Sequence, residues 1–144
     1  MRSLLGGAAV VVAVLLGSSW LGAEEIGCPA RVEVRQSAAA VPAGWTAGVS
    51  ELPTILAGVT FYSGPPEERA SLVPDANGRR GGMLTSTWRF GRGTKEVFWV
   101  SCGYLATSVV LSRALPVGTT ECTVEYDPGA KVGGQAVVKR IRCR

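Results

Sequence analysis

Histidine is missing from all 144 residues of the chain. Its absence removes the Ser-His-Asp and Cys-His arrangements of nucleophilic catalysis, and with them every imidazole metal site. Cysteine is scarce too: Cys28, Cys102, Cys122 and Cys143 are the whole set. A four-thiolate metal site would consume all of them, and in an oxidising compartment such thiols pair as disulfides instead. No Gly-x-Gly-x-x-Gly sequence opens a helix. Gly91-Arg92-Gly93 follows one strand pattern and leads into another, so it reads as a hairpin turn and not as a phosphate cradle. There is no internal repeat, no low-complexity segment and no long linker. Charge of either sign is thin, with 15 Lys+Arg against 11 Asp+Glu for a formal +4. The two signs are interspersed, which gives no stripe for nucleic acid. The sequence therefore predicts no cofactor, no metal and no nucleic-acid partner.

What is present begins with a targeting segment. Arg2 supplies a positive end, residues 4–16 are uncharged and rich in Ala, Val and Leu, and Leu21-Gly22-Ala23 places a small residue directly before Glu24-Glu25. That is the anatomy of a secretory signal peptide over residues 1–23. A single domain over residues 24–144 follows, located in the periplasm or secreted, with no stable membrane insertion after cleavage. The competing reading is an uncleaved anchor, because residues 3–23 carry no charge and approach the roughly 20 residues of a spanning helix. Gly17, Ser18 and Ser19 interrupt the apolar core and favour cleavage. Glu25, three positions before Cys28, argues against a lipidated cysteine. Loss of Arg2 with the signal lowers the net charge by one, and the remainder is large enough to bury a modest core.

Alternation of apolar and polar residues then marks about seven short strands. They fall at 31–35, 57–63, 84–90, 95–104, 107–113, 120–126 and 135–143. Phe98, Val100, Cys102 and Tyr104 share one face of the most apolar strand, with Val97 and Trp99 on the other. Val109 and Leu111 are expected to point inward, and Trp45 and Trp88 to lie in the core. Residues 45–53 have no clean period beyond a short helical turn. Asp127-Pro128-Gly129 is expected to turn the chain, and Gly133-Gly134 to close a loose loop. The fold class is all-β: a small antiparallel sandwich or barrel with two disulfides. Four cysteines allow three connectivities. A plain meander brings Cys122 opposite Cys143, setting Val124 against Ile141 and Tyr126 against Lys139, and leaves Cys28–Cys102 as the remainder. Cys28–Cys143 with Cys102–Cys122 fits a different strand order and stays open.

Residues 65–82 read as one long connection of turn and surface residues, and such connections are often functional. Within it lie Pro65, Pro66, Glu67, Glu68, Asp75, Arg79 and Arg80, the expected partner-contact loop. Tyr62 and Trp99 sit on faces opposite the core, either as partner anchors or covered by long loops. For catalysis only carboxylates remain: Glu67 with Glu68, and Glu121 with Glu125 on one strand face. Nothing in the sequence places either pair across a cleft, so solvated surface carboxylates are the simpler reading. A Ser101–Lys95 nucleophile is weaker still. The basic end Lys139, Arg140, Arg142 and Arg144 is either an anion stripe or protection for an edge strand, and the second is the commoner use.

Seven stretches carry a resemblance: Cys28-Pro29, Pro42-Ala43-Gly44-Trp45, Phe61-Tyr62-Ser63-Gly64-Pro65-Pro66-Glu67, Ser71-Leu72-Val73-Pro74-Asp75, Trp99-Val100-Ser101-Cys102-Gly103-Tyr104, Leu111-Ser112-Arg113, and Cys122-Thr123-Val124-Glu125-Tyr126-Asp127. Together they resemble a family of small exported, largely uncharacterised proteins of Gram-negative bacteria. The resemblance implies an immunity role beside type VI secretion effectors that attack peptidoglycan, and it supplies no catalytic motif. The function expected is therefore a periplasmic, non-enzymatic binding protein that inhibits a cell-wall-targeting enzyme. The alternative is a small-ligand or envelope-component binding module that uses the barrel mouth.

Overall fold

Alternating burial sets the frame. Phe98, Val100, Cys102 and Tyr104 are buried and Trp99 is half-buried, so strand Phe98–Tyr104 turns its even-numbered side chains inward. The same period buries Cys122, Val124, Ile141 and Cys143. The computed structural model describes residues 23–49, 52–91, 93 and 95–144. The expected signal segment, apart from Ala23, lies outside the described residues, as does Arg92 of the expected Gly91–Gly93 turn.

Among the described residues nine strands form two antiparallel sheets. The larger sheet runs, edge to edge, through β1 (Glu24–Glu25), β9 (Gln135–Cys143), β8 (Glu121–Val132), β5 (Met83–Arg89) and β4 (Ala76–Arg80). The smaller runs through β3 (Ser71–Leu72), β2 (Leu56–Ser63), β6 (Phe98–Tyr104) and β7 (Val110–Ala114). Two sheets facing across a shared core make the all-β sandwich the patterning called for. The core is aromatic at its centre. Phe61 of β2 lies 4.7 Å from Trp88 and 6.0 Å from Phe90, and Phe90 stacks on Phe98 at 4.4 Å. These rings come from both sheets and lock one onto the other.

The disulfides join Cys122 to Cys143 and Cys28 to Cys102. Cys122 and Cys143 are direct register partners across β8 and β9, and Val124 faces Ile141 as expected. Beyond Glu125 the register shifts, so Tyr126 faces Val138 and not Lys139. The expected turn at Asp127-Pro128-Gly129 is a bulge within β8, where Pro128 has no N–H to donate and Asp127 Oδ1 accepts the Gly129 N–H at 2.9 Å. The true reversal is Gly133-Gly134, with φ of 56° and 81°, between paired Val132 and Gln135. Gly81-Gly82 repeats it, with φ of 55° and 81°, between paired Arg80 and Met83. Two successive positive φ angles make the tight hairpin turn that glycine accepts without strain.

Several expectations give way. Residues 65–82 are not one unstructured loop, since they carry β3 and β4. Residues 31–35 form no strand: Arg31 bridges Ile55, Val32 N–H bonds the Thr54 C=O, and the Thr54 hydroxyl donates back to the Val32 C=O. The plain meander is replaced by a crossing. β5 and β6 belong to different sheets, so the link around Gly91 and Gly93 is no hairpin. Val109 and Leu111 are 39% and 38% exposed, because β7 is a sheet edge: Leu111 lies on the inward face opposite Cys102 but is left uncovered there, and Leu115, just past the strand, is the side chain that is buried. Trp45 is 75% exposed and residues 45–49 form no helical turn. Pro42 C=O instead accepts the Trp45 N–H at 3.1 Å in a tight turn, and the surrounding segment has too little packed around it to cover the ring.

Cys28–Cys102 closes a loop of 74 residues, Cys122–Cys143 one of 21. Chain-entropy estimates for loops of these sizes are about 4 and about 3 kcal/mol. Replacing Cys28 and Cys102 together by Ser should cost about 4 kcal/mol in denaturant unfolding and make residues 36–49 the first site of limited proteolysis. Unchanged stability would show that the N-terminal segment is held by other contacts.

Candidate functional site

The expected contact loop is divided by the fold. Tyr62 and Trp99 are register partners across β2 and β6, both half-buried on the outward face of the smaller sheet. Directly after β2 the chain tightens. Gly64 N–H donates to Val97 C=O at 3.2 Å, and Pro66–Glu68 form a 3-10 turn with Arg69 in the left-handed region at φ 58°. Pro65, Glu67 and Glu68 are exposed there, with Pro66 half-covered, at the Tyr62–Trp99 end of the sheet. Asp75 is engaged elsewhere: its Oδ2 accepts the Arg89 N–H at 2.6 Å, and its own N–H donates to Thr87 C=O at 2.8 Å. Arg79 and Arg80 lie on β4, opposite Leu84 and Met83. They sit at the far end of a five-residue strand, about 13 Å of rise from its start, on the other sheet. The seven loop residues therefore form at least two separate surfaces.

The outward face of the smaller sheet has a definite shape. Next to the Tyr62–Trp99 pair, Thr60 faces Ser101 and Ser101 faces Ser112. The Ser101 and Ser112 hydroxyl oxygens are 2.6 Å apart and share a hydrogen bond, which gives the buried Ser101 hydroxyl a partner. One pair further, Gly58 faces Gly103, and neither puts a side chain over the sheet. A trough of about 410 Å³ opens there, lined by Gly58, Thr60, Tyr62, Ser101, Gly103 and residues 107–110. No charged side chain lines it. Val110 of the edge strand β7, opposite Gly103, continues the apolar surface at 53% exposure.

The outward face of the larger sheet is the opposite in character. Glu121 lies between Arg89 at 3.4 Å and Arg144 at 2.8 Å. Glu125 lies between Arg140 at 3.7 Å and Arg142 at 3.3 Å, and Arg140 also reaches Glu25 at 3.7 Å. Thr87 and Thr123 hydroxyls meet at 3.2 Å between them. The basic end of the chain is thus spent within its own sheet, including Lys139, which pairs with Asp127 of β8 at 3.5 Å. Glu121 and Glu125 are four residues apart on one strand, about 13 Å along it, beyond the roughly 5–10 Å of a glycosidase pair. Among the described residues no three His, Cys, Asp or Glu side chains gather as a metal site. No helix there is long and apolar enough to cross a membrane.

A third feature escaped the sequence reading. Between the sheets lies a cleft of about 460 Å³, walled by Ala57, Gly58 and Val59 on one side and by Asn77, Ser86, Tyr126 and Gln135 on the other. Ser86 Oγ donates to Asn77 Oδ1 at 2.7 Å, and Tyr126 is hydrogen-bonded to Ser86. The available signal was Ser86 itself, a hydroxyl on the strand face that also carries Leu84, Trp88 and Phe90. Burial pushes the Tyr126 phenol above its ordinary pKa, with the Ser86 bond opposing in part. Burial likewise raises Tyr104, whose hydroxyl is buried without a hydrogen-bond partner.

Residues 51–144 match the model of the type VI secretion system Tli immunity protein family. The chain belongs to that family. No curated protein and no solved structure matches it. The Tli match takes in both sheets except β1, and three of the four cysteines. Cys28 and the segment it ties to β6 precede it. Membership in the Tli family implies a protein effector as the partner.

The two tyrosines make a test of the described packing. Each favours the neutral phenol in the folded state, so their contribution is complete below the unfolded value of 10 and is lost as pH rises through the raised folded values. Stability measured by denaturant should therefore fall above pH 10, and Tyr126→Phe should flatten part of that fall. A slope that Tyr126→Phe leaves unaltered would remove Tyr126 from the account.

Proposed function

We propose that the protein neutralises a type VI effector by binding it through the outward face of the smaller sheet, with Tyr62 and Trp99 as anchors. The observation that carries this is the contrast between the two broad faces. One is a lattice of arginines and glutamates whose charges are largely satisfied within it. The other is uncharged, grooved at Gly58 and Gly103, and bordered by a half-buried Tyr–Trp pair. Aromatic side chains at the centre of an apolar patch are the usual carriers of binding energy. Sheets held by two disulfides present that patch with little entropy lost on association.

In this reading the chain is exported, residues 1–23 are removed, and the domain over residues 24–144 acts in the periplasm, where both disulfides persist. The effector is an enzyme that attacks the cell wall. The protein acts by occupying that enzyme and performs no chemistry of its own. The absence of histidine and the commitment of Glu121 and Glu125 to arginine pairs support a binding role.

The test is calorimetry between the exported domain and type VI effectors from the same genome, with effector hydrolysis followed on peptidoglycan and, separately, on phospholipid. The expected result is a tight complex and loss of peptidoglycan hydrolysis. Trp99→Ala should weaken binding by about 2 kcal/mol or more, roughly thirtyfold, with Arg142→Ala on the other sheet nearly neutral. A complex insensitive to both Tyr62→Ala and Trp99→Ala would place the interface elsewhere. Hydrolysis of phospholipid and not of peptidoglycan would keep the immunity role and replace the target.

A further inference from the structure

The cleft between the sheets has one wall that is a strand edge without a neighbour. β3 pairs with β2 only at Phe61–Leu72 and Tyr62–Ser71. Just past that ladder Ser63 N–H donates to Ala70 C=O at 3.0 Å. Backbone groups in a strand alternate in direction, so Phe61 and Val59 point the same way as Ser63, away from β6. Continuing the register two positions sets Pro74 opposite Val59. Proline has no N–H, and the chain leaves for the other sheet at Asp75, whose N–H bonds Thr87. The N–H and C=O of Val59 are therefore left facing the cleft with no strand partner among the described residues.

The opposite wall is equally specific. The cleft lining contains no Asp, Glu, Lys or Arg. Ser86 gives its hydrogen to Asn77 Oδ1, and Tyr126 lines the cleft beside them. The Asn77 amide hydrogens and the Gln135 carboxamide, both on exposed residues lining the cleft, are available as donors and acceptors there. Leu84, Ala57 and Ala136 supply apolar surface between them. A backbone edge on one side and carboxamides on the other recognise another peptide backbone, since each offers donors and acceptors at strand spacing. The free stretch of β2, residues 57–60, is about 10 Å long, enough for three or four residues of extended chain. The volume of about 460 Å³ lies within the range of ligand sites.

We propose that this cleft receives an uncharged extended segment of the effector, three or four residues long, which adds as a strand to β2 at Val59 where β3 stops. This rests on the effector-binding reading above and adds a second, chemically distinct contact to it. A charged segment is disfavoured, because the cleft would strip water from the charge and offers it no counter-ion.

Hydrogen exchange on the wild-type domain tests this without any variant. Alone, the Val59 amide should exchange fast while Thr60, paired toward β6, exchanges slowly. In complex with the effector the Val59 amide should slow by about tenfold or more, as an amide entering a ladder does. In parallel, the single variant Asn77→Ala, at an exposed position of β4, should bind the effector more weakly by a factor of about three or more while the domain stays folded. A complex that forms with Val59 exchange unaltered overturns this inference and leaves the effector-binding reading standing. Protection of Val59 in the domain alone, together with a dimer in solution, also overturns it, since a second copy would then supply the strand. No complex at all removes both.

Discussion

Phe61 holds the two sheets in register. It is fully buried, and its ring touches Trp88 and Phe90 of the opposing sheet. Much follows from that contact. Trp88, held against Phe61, donates its indole N–H to the Leu72 carbonyl at 3.1 Å. That bond fixes where β3 sits against β2, and so where the short β3 ladder must end. Past it, Pro74 cannot extend the ladder, and Asp75 carries the chain to β5 through Thr87 and Arg89. The aromatic contact thereby decides that β2 is paired along its outer half and open along its inner half. Phe61→Ala would remove more than buried area, because the cost of such a cavity, about 3–5 kcal/mol, would come with the loss of the anchor that places β3.

The division of labour between the two faces has an electrostatic cause. On the larger sheet, outward positions of β8 carry Glu and those of β9 carry Arg, and the antiparallel register sets them side by side. Exposed pairs of this kind add at most about 1 kcal/mol each, so their effect is less on stability than on character. Arginines already engaged by carboxylates make a weak anion stripe. β9 is also an interior strand at Arg142 and Cys143, where β1 covers it, so edge protection explains only its earlier part. On the smaller sheet the outward row is Tyr62, Thr60 and Gly58 against Trp99, Ser101 and Gly103. None of these can be neutralised or repelled by salt. An interface built there depends on shape and on the aromatic pair, and its affinity would change little with ionic strength.

The parts of this arrangement that were legible in the sequence are those with a local period. The buried faces of β6, β8 and β9, the match of Cys122 to Cys143, and the outward placing of Tyr62 and Trp99 all follow from alternation along a strand. What stayed hidden lacks such a period. β4 is exposed at every position, so its residues show no apolar alternation, and it exists because β5 offers a ladder and Gly81-Gly82 a tight turn. β3 has two residues, fewer than one repeat. The assignment of β5 and β6 to different sheets depends on Phe61 meeting Trp88, a contact between distant parts of the chain with no local trace. Trp45, expected in the core beside Trp88, lies in a segment with no apolar period, and it is 75% exposed. The bulge at Pro128 was read as a turn because its residues are turn-formers, and only the two-glycine reversal beyond it shows which of the two ends the strand.

The candidate site was half legible for a related reason. Tyr62 and Trp99 could be found because a strand face is a local property. The Asn77–Ser86–Tyr126 relay could not, because its members come from β4, β5 and β8 and meet only after the sheet is built. The same point bears on how such a domain can recognise one effector among many. Surface loops vary freely, and a loop such as Pro65–Glu68 can change without cost to the core. Val59 and Ser86, by contrast, serve two structures at once. The side chain of Val59 packs on the core while its backbone faces the cleft, and Ser86 sits on the same strand face as Trp88. A partner read through those groups is read by the fold itself, whereas one read through the outward trough is read by side chains that the core does not constrain. Of the two proposed contacts, the cleft is the one that the fold constrains, and the Tyr62–Trp99 face is the one that substitution can retune while the sandwich stays intact.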